Sequence, residues 1–136
     1  MTQLFAQDYA ARTESLAEVR TAVHAATLNA GGSETCADET VLAVNEACMN
    51  ILQHGYHFVA GQLFRIEIAK EDRALVILLC DNGEKATEDK LKPRALDDVR
   101  PGGLGVHFIR ELTDTIAYLP PSEAWRNRLQ ITKRLA

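Results

Sequence analysis

The sequence lacks the features of a membrane protein, of a secreted protein and of a nucleic-acid-binding protein. No segment is apolar for long enough to span a bilayer, and the N-terminal MTQLFAQDYAARTE has no apolar stretch of the length that a signal peptide needs. The chain has no basic tract to match a phosphate backbone, and its formal net charge is -4. We therefore expect a cytoplasmic protein that binds no membrane and makes no direct contact with nucleic acid.

Cysteine and histidine are too few and too scattered to predict a zinc site. The three cysteines, Cys36, Cys48 and Cys80, are far apart, and no CxxC pair is present. Two of the cysteines lie in apolar runs, where they are expected to be small core residues of a reduced protein.

The composition is that of one ordinary globular domain. The chain has 136 residues, of which 46% are hydrophobic and 25% are charged, enough for a real core. No internal repeat or low-complexity tract divides the sequence, so residues 1–136 are expected to form a single domain.

Hydrophobic periodicity predicts two helices in the first half of the chain. QLFAQ near the start fits a short edge strand. Apolar residues then recur at helical spacing from Arg12 to Asn29. They do so again from about Ser33 or Asp38 to about His54, where Gly55 would end the helix.

The second half of the chain is predicted to form mainly strands. LFRIEIAK alternates apolar and polar residues as a half-buried strand does, and RALVILLC is apolar enough for a central strand. A long polar loop, a helix from Val106 to Thr113 and the strands TIAYL and RLQITKRL follow. The order β-α-α-β-β-loop-α-β-β predicts an α+β fold, a two-layer sandwich with helices on one face of a mainly antiparallel, mixed sheet.

Three polar residues are evenly spaced at the end of the second predicted helix. In NEACMNILQHGY, Glu46, Asn50 and His54 recur every four residues, a spacing that aligns side chains along one stripe of a helix. An asparagine oxygen is a hard ligand suited to Mg²⁺, and a glutamate one turn earlier could accept a proton from a nucleophile that attacks a phosphate. The alternative interpretation is a polar helix edge that faces solvent.

A carboxylate directly follows the apolar run of the predicted central strand. Asp81, in the segment Cys80-Asp81-Asn82-Gly83, would lie at the end of the sheet. There it could accept a hydrogen bond from an exocyclic amine such as that of adenine, while Gly83 would let another group or a ligand ring approach the backbone closely. The alternative is an ordinary turn, since Asp-Asn-Gly is a favoured turn sequence.

A glycine-rich segment precedes the last predicted helix. Gly102-Gly103-Leu104-Gly105 could present backbone N–H groups at a helix N-terminus, which together form an anion site. The segment matches neither the P-loop nor the dinucleotide-binding fingerprint. The alternative is a flexible hinge into the helix.

Taken in this order, the three motifs resemble those of the GHKL superfamily of histidine-kinase-like ATPases. The segments NEACMNILQHGY, GGLGVHFIRELTD and NRLQITKRL look most like those of the serine-kinase anti-sigma factors of bacterial partner-switching systems. The resemblance covers nearly the whole chain. It implies a Bergerat-type ATP-binding fold in which residues of about 84–101 form the ATP lid.

The resemblance also implies a role for individual residues. Glu46 matches the general base and Asn50 the Mg²⁺ ligand, while Asp81, with Gly83 beside it, matches the carboxylate that binds adenine. His54 matches the end of the same motif without a catalytic role. The phosphate-binding segment corresponds to Gly103, Leu104 and Gly105.

The implied activity is that of an ATP-dependent protein-serine kinase. It would phosphorylate a small anti-anti-sigma antagonist protein and sequester a sigma factor, and a homodimer is a further expectation because the family often dimerises. Arg20 falls where the family has a partner-binding arginine, although an ordinary exposed helix residue is the alternative. The alternative function is a nucleotide-binding switch module that regulates a phosphatase or another partner, and Glu46 favours the enzyme.

One segment departs from the family pattern. Gly83 is followed by Glu84-Lys85-Ala86-Thr87, without the aromatic residue and the proline that are usual there. We expect this difference to weaken the anchor of the lid, and with it the binding of nucleotide, more than it affects the fold.

Overall fold

The structure is a computed structural model that describes residues 1–86 and 109–135. Residues 109–112 are helical, and no helix within the described ranges has the length and apolar character needed to cross a membrane. In chain order the other elements are β1 (Thr2–Ala10), a 3-10 turn (Thr13–Ser15), α1 (Leu16–Asn29), α2 (Glu34–Asn50), a π-helical turn (Ile51–Gly55), β2 (Leu63–Glu71), β3 (Ala74–Asp81), β4 (Thr115–Leu119) and β5 (Asn127–Arg134).

One sheet joins the five described strands in the order β1-β2-β3-β5-β4. Each neighbouring pair in it is antiparallel. β3 is therefore the central strand, and it ends at Asp81 directly opposite Asn127, the first residue of β5. The α+β class is confirmed, and the described part of the sheet is wholly antiparallel rather than mixed.

The hydrophobic core lies between one face of this sheet and the helices. Alternate residues of the central strands are buried because successive side chains of a strand point to opposite faces. On the helices, Val19 and Val23 of α1 and Val44 and Cys48 of α2 are buried in the same cluster. The sheet contributes Phe64, Ile66, Ile68, Leu75, Ile77, Leu79, Leu129 and Ile131.

The strand predictions agree with the structure to within a few residues. β2 extends to Glu71 and β3 starts at Ala74, so Asp72 and Arg73 form a two-residue turn. Asp72 has a φ of 55°, a left-handed conformation that aspartate tolerates better than most residues. β2 and β3 thus form a tight antiparallel hairpin.

The second predicted helix, α2, is capped at its start and changes helix type before its predicted end. Its start is capped by Ser33, whose Oγ accepts a hydrogen bond from the Cys36 N–H at 3.1 Å. The α-helix stops at Asn50, and Ile51–Gly55 form a π-helical turn. π-helical turns are rare in proteins, and those that do occur are often found at functional sites.

Candidate functional site

The end of α2 carries the first group of predicted site residues. Glu46 and Asn50 lie one helical turn apart and are both half-buried. Neither side chain forms a hydrogen bond or an ion pair with another residue in the ranges 1–86 and 109–135. Both groups are therefore available to a ligand. His54 lies in the π-helical turn and is exposed, so it does not continue the regular α-helical stripe.

Tyr56 ties the end of α2 to the sheet. Its backbone N–H donates to the Ile51 carbonyl at 2.8 Å, the bond that closes the π-helical turn. Its buried hydroxyl donates to the Leu63 carbonyl at 2.6 Å and accepts from the Asn82 N–H at 2.7 Å. Burial raises the pKa of Tyr56, so the hydroxyl stays neutral and can act as donor and acceptor at once.

Asp81 is a buried carboxylate with one oxygen held by hydrogen bonds and the other without a partner in residues 1–86 and 109–135. The residue is only 6% exposed. Its Oδ1 accepts hydrogen bonds from the Gly83 N–H and from the Asn127 Nδ2, each at 2.9 Å. Oδ2 has no partner among the described residues, and it is not a fully buried orphan. A carboxylate in this arrangement can accept a hydrogen bond from a ligand N–H.

Burial and hydrogen bonding act in opposite directions on the acidity of Asp81. Burial raises its pKa, because the charged form loses hydration. The hydrogen bonds from Asn127 and Gly83, and the positive charge of Arg126, favour the charged form and oppose that rise. The net direction of the pKa shift is upward.

Gly83 brings the Asp81 segment against the end of α2. A Cβ at Gly83 would lie 2.5 Å from both the carbonyl carbon and the oxygen of Gly55. The Glu84 N–H donates to that same Gly55 carbonyl at 2.8 Å. The sequence predicted that Gly83 would let another group or a ligand ring approach the backbone closely, and in the structure the Gly55 backbone does so. The end of the helix that bears Asn50 is thereby packed against the loop that follows β3.

The glycine-rich segment is not described by the structure. Gly103, Leu104 and Gly105 all fall within residues 87–108, outside the described ranges, as does most of the lid predicted at 84–101. Their assignment to phosphate binding and to lid closure stays a prediction.

Arg20 lies on the exposed side of α1 and is linked to α2. Its Nη1 donates to the Asn45 Oδ1 at 3.1 Å, and Asn45 directly precedes Glu46. An open groove of about 520 Å³ runs beside it. The groove is lined by Arg20, Thr21, His24, Asp38, Val41 and Leu42. The assignment of Arg20 to partner binding stays a prediction.

Asn127 is the residue of this site that the sequence analysis missed. Besides Asp81 it contacts the segment after Gly83, since its Nδ2 donates to the Glu84 carbonyl at 3.0 Å and its Oδ1 accepts from the Ala86 N–H at 2.9 Å. A signal was present, because a final strand that starts with a polar residue and pairs antiparallel with β3 puts that residue opposite Asp81. The segment after Gly83 lacks the usual aromatic residue and proline, and in the structure hydrogen bonds to Asn127 hold Glu84 and Ala86 of that segment.

Comparison with known proteins points to one family. The family model described as a histidine kinase-like ATPase domain matches residues 9–133. The chain is 28% identical over 114 residues to the protein named Serine-protein kinase RsbW of Bacillus mycoides (strain KBAB4), an alignment that covers 78% of this chain and 71% of the relative. Proteins of the same name from Bacillus cereus and from Bacillus thuringiensis subsp. konkukian (strain 97-27) match with the same identity and coverage.

Proposed function

The chain belongs to the histidine kinase-like ATPase domain family, and from this premise we propose that it is an ATP-dependent protein-serine kinase. Its substrate would be a serine of a small antagonist protein, and it would also sequester a sigma factor. The relatives named Serine-protein kinase RsbW support the kinase part of this proposal.

The observation that carries the proposal is the Asp81 carboxylate. Adenine has an exocyclic amine that donates hydrogen bonds, and Asp81 Oδ2 is an acceptor without a partner among the described residues. Because Asp81 is 6% exposed, a hydrogen bond to its charged form would be little weakened by water. These residues therefore fit an adenine nucleotide, as the ATPase family implies.

Glu46 and Asn50 support the catalytic part of the proposal. In phosphoryl transfer the enzyme mainly positions the reactants and stabilises charge. The serine oxygen would bond to the γ-phosphorus as the bond to ADP breaks, and the serine proton would pass to the Glu46 carboxylate. Asn50 offers a hard oxygen to Mg²⁺, which neutralises phosphate charge when bound. Both side chains are half-buried and lack a partner in the described residues.

The proposed protein partners would bind at the exposed side of α1 beside α2. Arg20, held over α2 by Asn45, is the proposed contact for the antagonist or the sigma factor. A homodimer is part of the proposal, since β1 is an edge strand of the described sheet, with Met1 78% and Leu4 38% exposed. We place the assembly in the cytoplasm, where the proposed sigma factor would act, and the three free, buried cysteines are compatible with a reducing compartment.

Calorimetry with ATP and Mg²⁺ tests the nucleotide site. The wild type should bind saturably, Asp81→Ala should abolish binding, and Asn50→Ala should weaken it when Mg²⁺ is present. Glu14→Gln, a change at an exposed residue of the 3-10 turn, is the matched control and should bind like the wild type. Failure of the wild type to bind at millimolar ATP would overturn the proposal.

Transfer of radiolabelled phosphate to a purified antagonist separates the two candidate functions. A kinase should label the antagonist, and Glu46→Gln should retain ATP affinity while the transfer rate falls by about 10²–10⁴-fold. Glu14→Gln should leave the transfer rate unchanged. Tight ATP binding without transfer, or transfer that is insensitive to Glu46→Gln, would instead favour the nucleotide-binding switch module.

A further inference from the structure

We infer that Asn127 is a positioning residue of the nucleotide site, which holds the Asp81 carboxylate with Oδ2 toward the base and ties the start of the lid segment to β5. The inference rests on the proposed function, because it specifies how the adenine-binding carboxylate is oriented. Neither the family match nor the similarity to RsbW proteins assigns a role to this residue.

Both the nitrogen and the oxygen of the Asn127 amide are hydrogen-bonded within the site. The residue is 4% exposed and lies directly opposite Asp81 in the β3–β5 register. Its Nδ2 donates to Asp81 Oδ1 at 2.9 Å and to the Glu84 carbonyl at 3.0 Å, and its Oδ1 accepts from the Ala86 N–H at 2.9 Å. A buried amide with these partners cannot rotate without leaving polar groups unsatisfied.

Two hydrogen-bond donors on the same oxygen of Asp81 fix the orientation of its carboxylate toward a ligand. The Gly83 N–H and the Asn127 amide both point at Oδ1, so Oδ2 is the oxygen left for a ligand. The Gly83 donor is part of a local turn and would persist without Asn127. Removing the amide would therefore leave one donor and a carboxylate free to turn about its χ2 bond, which is a broad torsion.

A second pair of contacts joins the same segments without touching the carboxylate. Asn82 Oδ1 accepts from the Arg126 N–H at 2.7 Å, and Asn82 Nδ2 donates to the Ala124 carbonyl at 3.0 Å. Asn82 is exposed and makes no bond to Asp81 among these contacts. Asn82→Ala is thus a matched control that weakens the loop anchor but keeps the orientation of Asp81.

Several ionisable groups surround the Asp81–Asn127 pair and have to be considered in a pH test. Arg126 favours the charged carboxylate. Tyr56, at the end of the π-helical turn, is a neutral phenol whose pKa is raised. The Oε2 atom of Glu84 and the Nε2 atom of His57 lie 3.4 Å apart, and both side chains are exposed. All of them are shared by the wild type and the variants, so a ratio of dissociation constants at each pH removes their contribution.

The test measures dissociation constants for ATP and GTP in four proteins, namely the wild type, Asn82→Ala, Asn127→Ala and Asn127→Asp. Asn127→Ala should weaken ATP binding by roughly tenfold or more, the usual effect of one hydrogen bond to a charged group. It should also reduce the preference for ATP over GTP, because guanine presents an acceptor where adenine presents its amine. Asn82→Ala should keep that preference.

Asn127→Asp has nearly the same shape and gives a result that a purely structural role would not. Two carboxylates at this distance share one proton, and the protonated one can donate to Asp81. As the pH rises the shared proton leaves and the two charges repel. The ratio of the variant's ATP dissociation constant to that of the wild type should therefore increase with pH.

The outcomes separate this inference from the proposed function. The inference would be overturned if both Asn127 variants kept the ATP affinity and the ATP preference of the wild type and if the ratio of their ATP dissociation constants to that of the wild type did not change with pH. If Asp81→Ala still lost ATP binding in that case, the proposed function would stand. A wild type that binds no ATP would overturn both. Thermal melts identify a variant that fails to fold, and in that case the near-isosteric Asn127→Asp decides the question.

Discussion

Replacing Gly83 by alanine should destabilise the protein strongly. A Cβ at this position would meet the Gly55 backbone at 2.5 Å from its carbonyl carbon and oxygen and 2.7 Å from its Cα. Since favourable carbon contacts begin near 3.5 Å, the two segments would have to separate by about 1 Å. Overpacking of this kind costs about 1–3 kcal/mol. The Glu84–Gly55 hydrogen bond of 2.8 Å would be lost as well, adding about 1 kcal/mol.

Gly55→Ala is the matched control, because it changes the other glycine of the same contact. A Cβ at Gly55 would lie 3.5 Å from Asp81 Oδ1 and 3.9 Å from the Gly83 Cα, which are ordinary van der Waals distances. Gly55 also has no positive φ. Alanine there should therefore be neutral or should stabilise by about 0.4–1 kcal/mol through the unfolded chain.

Urea unfolding of the two variants measures this asymmetry. Gly83→Ala should lower the free energy of unfolding by roughly 2–4 kcal/mol with an unchanged dependence on urea. Its melting temperature should fall by on the order of 10 °C for a chain of this size. Equal stability of the two variants, to within about 0.5 kcal/mol, would show that the Gly83–Gly55 backbone contact is absent in solution.

Three further predictions follow from buried groups. Asp81→Asn should abolish ATP binding yet raise the melting temperature at neutral pH, because burial raises the pKa of Asp81 and the charged carboxylate costs stability as the pH rises; a lower melting temperature would contradict this. Tyr56→Phe should lower the free energy of unfolding by about 1–3 kcal/mol, since both hydrogen-bond partners of its hydroxyl lose it; urea unfolding measures the loss, and a neutral result would refute it. Burial raises the pKa of Cys80 to about 11 and also raises that of Cys48, so neither thiol should react with iodoacetamide at about pH 8 until the protein is unfolded; mass spectrometry of the folded protein would reveal any exception.

Most of the fold could be predicted from local patterns in the sequence. The alternation of LFRIEIAK predicted β2 because every second side chain must face the core, and the apolar RALVILLC predicted the central position of β3. The helical spacing from Arg12 to Asn29 predicted α1, although a 3-10 turn precedes its start at Leu16. These patterns work at short range, where the period of the backbone and the burial of one face determine the order of residue types.

The order of the motifs was also enough to indicate the family. Glu46, Asn50 and Asp81 were predicted as site residues, and the structure brings the end of α2 against the loop that follows Asp81. Their chemical roles remain predictions, as do those of the glycines at 103 and 105, which lie outside the described residues.

Tertiary structure alone decided how the site is held together. Gly83 contacts the backbone of Gly55, 28 positions earlier in the sequence. Asp81 is held by the amide of Asn127, 46 positions later. No local period records such contacts, because the residues meet only after the sheet has paired and α2 has packed on it. The change from α-helix to π-helix at Ile51 likewise coincides with long-range contacts, because Tyr56 at its end bonds to Leu63 of β2 and to Asn82 after β3. The sequence thus indicated which residues are candidates for the site, and the packing of distant segments determined that Oδ1 of Asp81, and not Oδ2, is the oxygen held by other described residues.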